Sequence, residues 1–174
     1  MSEGRRAQRG RLVRERPTSP VVVDASIAVQ WLAPEPGSSQ AMRLLESQSM
    51  LLAPDFLPLE VANALCKKER RGEMTPAQVE HALTNLATAG LVLAGTAPLL
   101  VRAARLACEA RHSVYDCVYL VLAAEWNARL ASADTSLLRI AARMQLTAWR
   151  PSVLSPSARR PPGRARASAA ARSR

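Results

Sequence analysis

The chain has 174 residues and a formal net charge of +10, but that charge sits at its ends. Residues 1–16 hold six arginines against Glu3 and Glu15, and residues 155–174 hold six arginines and no acid, so segment 17–154 keeps 12 basic and 12 acidic side chains. A neutral segment of this size can bury one domain's core, and it excludes a basic-surfaced nucleic-acid-binding core.

The first arm, residues 1–19, is rich in Arg, Ser and Pro with little to bury, and it is expected to stay mobile. No apolar stretch follows its basic residues, so a secretory signal is not expected. The domain is expected over 20–154. Val21-Val22-Val23 is a β-branched run ending in Asp24, the pattern of a strand buried on both faces. Ile27 to Leu32 predicts a short helix, stopped by Pro34 and Pro36, and 38–47 a second. Met50 to Ala53 reads as the second strand. A third helix starts near Pro58, carries Glu60 in its first turn and reaches about Arg71 before Gly72.

Thr75-x-x-Gln78 is a capping box that opens a fourth helix toward Gly90. Leu91 to Ala94 predicts a third strand, and 97–111 a fifth helix. Ser113-x-x-Asp116 reads as a second capping box, opening a sixth helix to about Asn127. Arg129 to Ser132 predicts a fourth strand before Asp134, then a short helix and a last strand over Leu146–Trp149. Residues 155–174 form an Arg-, Ala- and Pro-rich tail, again expected to be mobile. Strands alternating with helices predict an α/β domain with a mostly parallel sheet.

Other residue classes narrow the function. Six aromatics (Trp31, Phe56, Tyr115, Tyr119, Trp126, Trp149) are too few for a base-stacking sheet, and Tyr115 and Tyr119 read as packing anchors. Cys66, Cys108 and Cys117 form no C-x-x-C pair and read as reduced thiols of a cytoplasmic protein. The uncharged run His81 to Val101 is broken by Gly90, Gly95 and Pro98 and does not read as a membrane span. His112 lies close before Asp116, where it could serve as a general base, but it reads rather as the end of the fifth helix, favoured there by the helix dipole. Lys67, Lys68, Arg70 and Arg71 suit the end of the third helix and are also placed to meet phosphates.

Ligands of parallel sheets bind beyond the carboxyl ends of the strands. Asp24, Glu60, Asp116 and Asp134 come from four segments, each at an element boundary where they can meet at one sheet end. Each also has a plain structural use: Asp116 and Asp134 as caps or turn residues, Glu60 as a first-turn acid. Four gathered carboxylates repel unless they share a cation, and oxygen ligands select a hard ion, Mg²⁺ or Mn²⁺. Ser26 and Ser132 lie beside two of the acids, as supports for water or phosphate or as turn residues.

These motifs resemble a known family. Val22-Val23-Asp24-Ala25-Ser26 is similar to the opening strand of a PIN domain, and Pro54-Asp55 through Leu59-Glu60-Val61-Ala62-Asn63-Ala64-Leu65 to its P-D…E-V-A-N-A-L helix. Val114 to Ala123 resembles its Y-D-A-x-Y-L-x-L-A helix. Leu130 to Asp134 resembles its L-x-T-A-D segment, with Ser132 in place of threonine. The wording looks like the VapC-type toxins of type II toxin–antitoxin pairs. The resemblance implies a three-layer sandwich with a central sheet of four or five strands flanked by about seven helices. It implies a ribonuclease with Asp24, Glu60, Asp116 and Asp134 as catalytic residues, and Asp24, Asp116 and Asp134 holding Mg²⁺ or Mn²⁺. Ser26 and Ser132 take supporting roles. RNA is the implied substrate, a small antitoxin the implied partner, and a homodimer and a toxin–antitoxin hetero-oligomer the implied assemblies. Two rivals stay open. One is another Mg²⁺-dependent phosphoester hydrolase, although an aspartyl phosphatase wants a second Asp where Ser26 stands. The other is a non-catalytic binding protein of the same fold.

Overall fold

A computed structural model describes residues 19–152. All of the first arm but Ser19, and the whole tail, lie outside the described residues. Five strands form one sheet: β1 (Val21–Val23), β2 (Leu51–Pro54), β3 (Val92–Ala94), β4 (Arg129–Ala131) and β5 (Ala148–Trp149). Their order is β3-β2-β1-β4-β5, and every neighbouring pair is parallel. The expected mostly parallel sheet is thus parallel throughout. Parallel strands need crossovers, and seven α-helices supply most of them: α1 (Ala25–Leu32), α2 (Ser38–Leu45), α3 (Leu57–Arg70), α4 (Pro76–Ala87), α5 (Leu100–Ala110), α6 (Val114–Glu125) and α7 (Thr135–Arg143).

The centre of the sheet is its most apolar part. All three residues of β1 and all four of β2 are buried, which requires cover on both faces. Val22 pairs with Leu52 on one side and Leu130 on the other. Helix α6 packs on β1, β2 and β4, with α5 beside it, while α1 packs on α2, α3 and α4. Seven consecutive residues of α6, Cys117 to Ala123, are buried, so this helix belongs to the core around its whole circumference.

The chain runs outward from β1 through β2 to β3, then returns to β4 beside β1. This reversal puts a crevice beyond the carboxyl ends of β1 and β4. Asp24 follows β1 directly, and its backbone N–H donates to the Ala131 carbonyl at 3.0 Å, tying the two strand ends together.

Most predicted boundaries agree within a few residues, and three details differ. The Thr75 box forms, with Gln78 N–H donating to Thr75 Oγ1 and Thr75 N–H donating to Gln78 Oε1 at 2.7 Å. The Ser113 box does not form: Ser113 sits at the cap position of α6 but makes no side-chain capping bond. The predicted fifth helix starts as a separate 3₁₀ turn, Ala97–Leu99, and the last strand shrinks to two residues. Lys68 is tied to Glu35 at 2.6 Å and Glu73 at 3.2 Å, so it is a structural bridge and not a cation free for phosphate. Cys66 and Cys108 are exposed, Cys117 is buried, and all three are free. Among the described residues, no helix is long and apolar enough to cross a membrane.

Candidate active site

Each of the four predicted acids stands at the end of a different element. Asp24 ends β1, and only 7% of it is exposed. The Ser26 hydroxyl, at the second residue of α1, donates to Asp24 Oδ2 at 2.5 Å, and the Ser132 hydroxyl after β4 donates to the same oxygen at 2.7 Å. Both serines accept in turn: Ala133 N–H donates to Ser26 Oγ and Asp134 N–H to Ser132 Oγ, each at 2.9 Å. The serines therefore clamp Asp24 between α1 and the segment after β4. The Asp134 N–H bond to Ser132 is turn bonding, one of the two roles the sequence left open, whereas the clamp on Asp24 is a role it did not suggest. Burial pushes the Asp24 carboxyl above its ordinary range; the two hydroxyls act against that shift, and the Asp134 charge adds to it.

Glu60 lies in the first turn of α3, with Pro58 in that same turn. The Tyr119 hydroxyl donates to Glu60 Oε2 at 2.5 Å. Burial raises the Glu60 carboxyl, the Tyr119 bond opposes this, and the charges of Asp24 and Asp116 add to it. Asp116 lies in the first turn of α6, where His112 Nε2 stands 3.2 Å from its Oδ2. That approach is a close contact and not an aligned hydrogen bond, since Nε2 makes none. It also explains the failed capping box, because the Asp116 side chain faces His112 instead of its own helix terminus. Burial raises the Asp116 carboxyl, His112 lowers it, and Asp24 and Asp134 raise it further.

Asp134 is the N-cap of α7. Its Oδ1 accepts from Ser136 N–H at 2.6 Å, Ser136 Oγ at 2.8 Å and Leu137 N–H at 3.4 Å. Burial acts to raise Asp134, but these donors outweigh it and its carboxyl falls below the ordinary value.

The four acids thus share one electrostatic field. Among the described residues, no lysine or arginine pairs with any of them; the Lys and Arg ion pairs use Glu35, Glu73 and Glu125. The described residues also hold no group of three His, Cys, Asp or Glu side chains drawn together closely enough to grip a metal ion as they stand. The reason is visible in the contacts, since each acid is turned to its own partner: hydroxyls, a phenol, an imidazole and a helix terminus. The donor set consists of hard carboxylate oxygens with no lysine or arginine paired to them among the described residues, which suits a hard divalent ion.

A family profile described as PIN domain matches residues 21–143. The chain belongs to the PIN domain family. Ribonuclease VapC3 of Pyrobaculum aerophilum is 33% identical over 119 residues, covering 67% of this chain and 91% of that one. Ribonuclease VapC3 of Mycobacterium tuberculosis is 33% identical over 130 residues, covering 73% of this chain and 93% of the relative. This PIN domain is therefore a homologue of VapC ribonucleases. The crystal structure of PAE2754 from Pyrobaculum aerophilum superposes with a TM-score of 0.58 at 22% identity over 69% of this chain and 78% of that one, a likeness of fold.

One part of this PIN domain site escapes a sequence reading. The Tyr119 hydroxyl reaches Glu60 across 59 positions of chain, and only the spacing Asp116 to Tyr119, three apart on one helix, hints that they share a face. His112 stands against Asp116, as its place close before that residue suggests. Tyr115 is no packing anchor: it is 62% exposed and meets only the edge of Phe56, with ring centroids 5.4 Å apart. Tyr119 is the anchor, fully buried.

Proposed function

We propose that this chain is a metal-dependent endoribonuclease acting at the crevice beyond β1 and β4, and the toxin of a type II toxin–antitoxin pair. What supports the reading is the charge interaction of Asp24 with Glu60, Asp116 and Asp134, in a homologue of VapC ribonucleases. Asp24, Asp116 and Asp134 are the residues to hold Mg²⁺ or Mn²⁺. When bound, that ion supplies Lewis-acid chemistry: it acidifies water and offsets the charge of a scissile phosphate. Asp24 is the fixed member, held by its two serines. Glu60, with its carboxyl raised by burial, is placed to accept the proton of the attacking water. Ser26 and Ser132 support by holding Asp24.

The substrate is RNA, and the expected partner is a small antitoxin in the same cytoplasm, with a homodimer and a toxin–antitoxin hetero-oligomer as assemblies. The neutral domain over 20–154 does not draw RNA by charge, so the basic segments 1–19 and 155–174 are the proposed phosphate-contacting arms. Deleting 1–18 and 156–174 is then expected to raise KM for RNA and flatten its salt dependence.

Purified protein is expected to cleave RNA with Mg²⁺ or Mn²⁺, stop with EDTA, and lose activity in folded Asp24→Asn and Asp116→Asn variants. Cleavage that persists in both variants removes the site assignment. A folded wild-type protein that never cleaves RNA favours the non-catalytic reading. The toxin assignment is checked in the genome, where a short upstream frame encoding a DNA-binding protein supports it and an isolated gene counts against it.

A further inference from the structure

Tyr119 is the most deeply buried large polar side chain beside the acids. It is fully buried, and its hydroxyl donates to Glu60 Oε2 at 2.5 Å, a short bond of the kind made to a charged acceptor. Its ring is held as well as its hydroxyl. Phe56 meets it edge to face, with centroids 5.7 Å apart and planes at 89°. Phe56 is the N-cap residue of α3, and its carbonyl accepts from the Glu60 N–H at 3.3 Å. One turn of α3 therefore holds the phenol twice, by an aromatic edge and by a carboxylate. From the other side, α6 carries Asp116 at the site and Tyr119 one turn deeper. A hydroxyl whose ring is locked in the core cannot follow a moving carboxylate, so it fixes where Glu60 points.

We propose that Tyr119 is the positioning residue of Glu60, a buried donor that fixes the carboxylate's orientation for the reaction. This rests on the ribonuclease reading, since it concerns the acid proposed there to take the proton. Tyr119 does not touch the substrate and acts only through Glu60. A purely structural phenol would stabilise the core without favouring any one orientation of that carboxylate.

The test compares Tyr119→Phe with wild-type protein and repeats the comparison in a Glu60→Gln background. Phe keeps the ring and removes only the donor. The expected result is a fall in kcat of about 10- to 100-fold with KM for RNA held within about twofold, and no further fall in the Glu60→Gln background. An unchanged kcat overturns the proposal, and so does an equal loss in both backgrounds. A second measurement needs neither activity nor a change at Tyr119. The chain has two tyrosines, so Tyr115→Phe leaves Tyr119 as the only phenol, and its Raman doublet reports whether the hydroxyl donates. A strong-donor doublet that weakens in Tyr115→Phe/Glu60→Ala supports the proposal; one that does not change overturns it. If Tyr119→Phe does not fold, this pair decides. If wild-type protein cleaves no RNA, the proposed function falls, and the Raman pair still decides whether Tyr119 holds Glu60.

Discussion

The inner and outer halves of the acidic site are held in different ways. Asp24 and Glu60 take their side-chain bonds from neutral hydroxyls: Ser26, Ser132 and Tyr119. Asp116 and Asp134 face ring and backbone nitrogens, those of the His112 imidazole and the first amides of α7. A neutral donor fixes a carboxylate without cancelling its charge, whereas a helix terminus does some of both. Burial raises Asp24, Glu60 and Asp116 alike, and of the four only Asp134, held by the start of α7, is lowered. Asp24 is thus fixed with its charge unbalanced, while Asp134 is fixed by a helix terminus that offsets part of its charge.

The harshest break of this contrast is Asp24→Asn. Cleavage is expected to fall by more than about 100-fold, as for loss of a central ligand, while the metal-free protein melts at a higher temperature near neutral pH, because a buried charge is gone. Activity assays and thermal melts on one preparation check both halves of this, and a lower melting temperature would contradict the uncompensated charge.

Next in size is the response to pH and metal. Asp24, Glu60 and Asp116 are raised above 3.8, 4.5 and 3.8, so in this range the folded chain binds protons that the unfolded chain has released. Their stabilisation is full below those ordinary values and is lost as pH rises through the raised ones. Asp134, lowered below 3.8, works the other way, and its contribution is lost as pH falls. The metal-free protein is therefore expected to lose stability as pH rises through the raised values of these three, while the Asp134 effect lies at lower pH. Mg²⁺ or Mn²⁺ at about 100 times its Kd should add about 2.7 kcal/mol and flatten that slope. Calorimetry with and without EDTA measures this directly.

Ser132→Ala is milder. It strips Asp24 of one donor and leaves the Asp134 N–H without its acceptor, for about 1–3 kcal/mol of stability and a loss of activity of about 10- to 100-fold. Ser132→Thr keeps the hydroxyl and should restore most of both. Ser136→Ala is the smallest, about 0.5 kcal/mol with cleavage nearly unchanged, since backbone amides still hold Asp134. Denaturant melts rank the two serines, and equal costs would erase the difference between the halves.

Much of this was legible before any coordinates. Asp24 and Asp134 stand out because a strand end and a helix start are local signals: a β-branched run that stops, an acid that begins the next helix. Glu60 and Asp116 follow from first-turn positions in the same way. What was not legible depends on side-chain direction across the fold. Ser113 and Asp116 have the spacing of a capping box, but the nearby His112 draws the carboxylate away. Tyr115 and Tyr119 look alike in sequence, yet one is exposed and the other lies at the base of the site, according to how α6 is rotated against β1 and α3.

The clamp on Asp24 also sets an order of events as the chain is made. Ser132 bonds Asp24 across 108 positions, and β4 lies between β1 and β5 in the finished sheet. Until residues near 132 leave the ribosome, Asp24 lacks its second hydroxyl and β1 lacks a neighbour on one side, so the crevice between β1 and β4 has no far wall. Such long-range closure is a late folding step. A chain cut or stalled before β4 therefore carries three of the four acids but no assembled centre, and nuclease activity can begin only after nearly the whole domain has been translated.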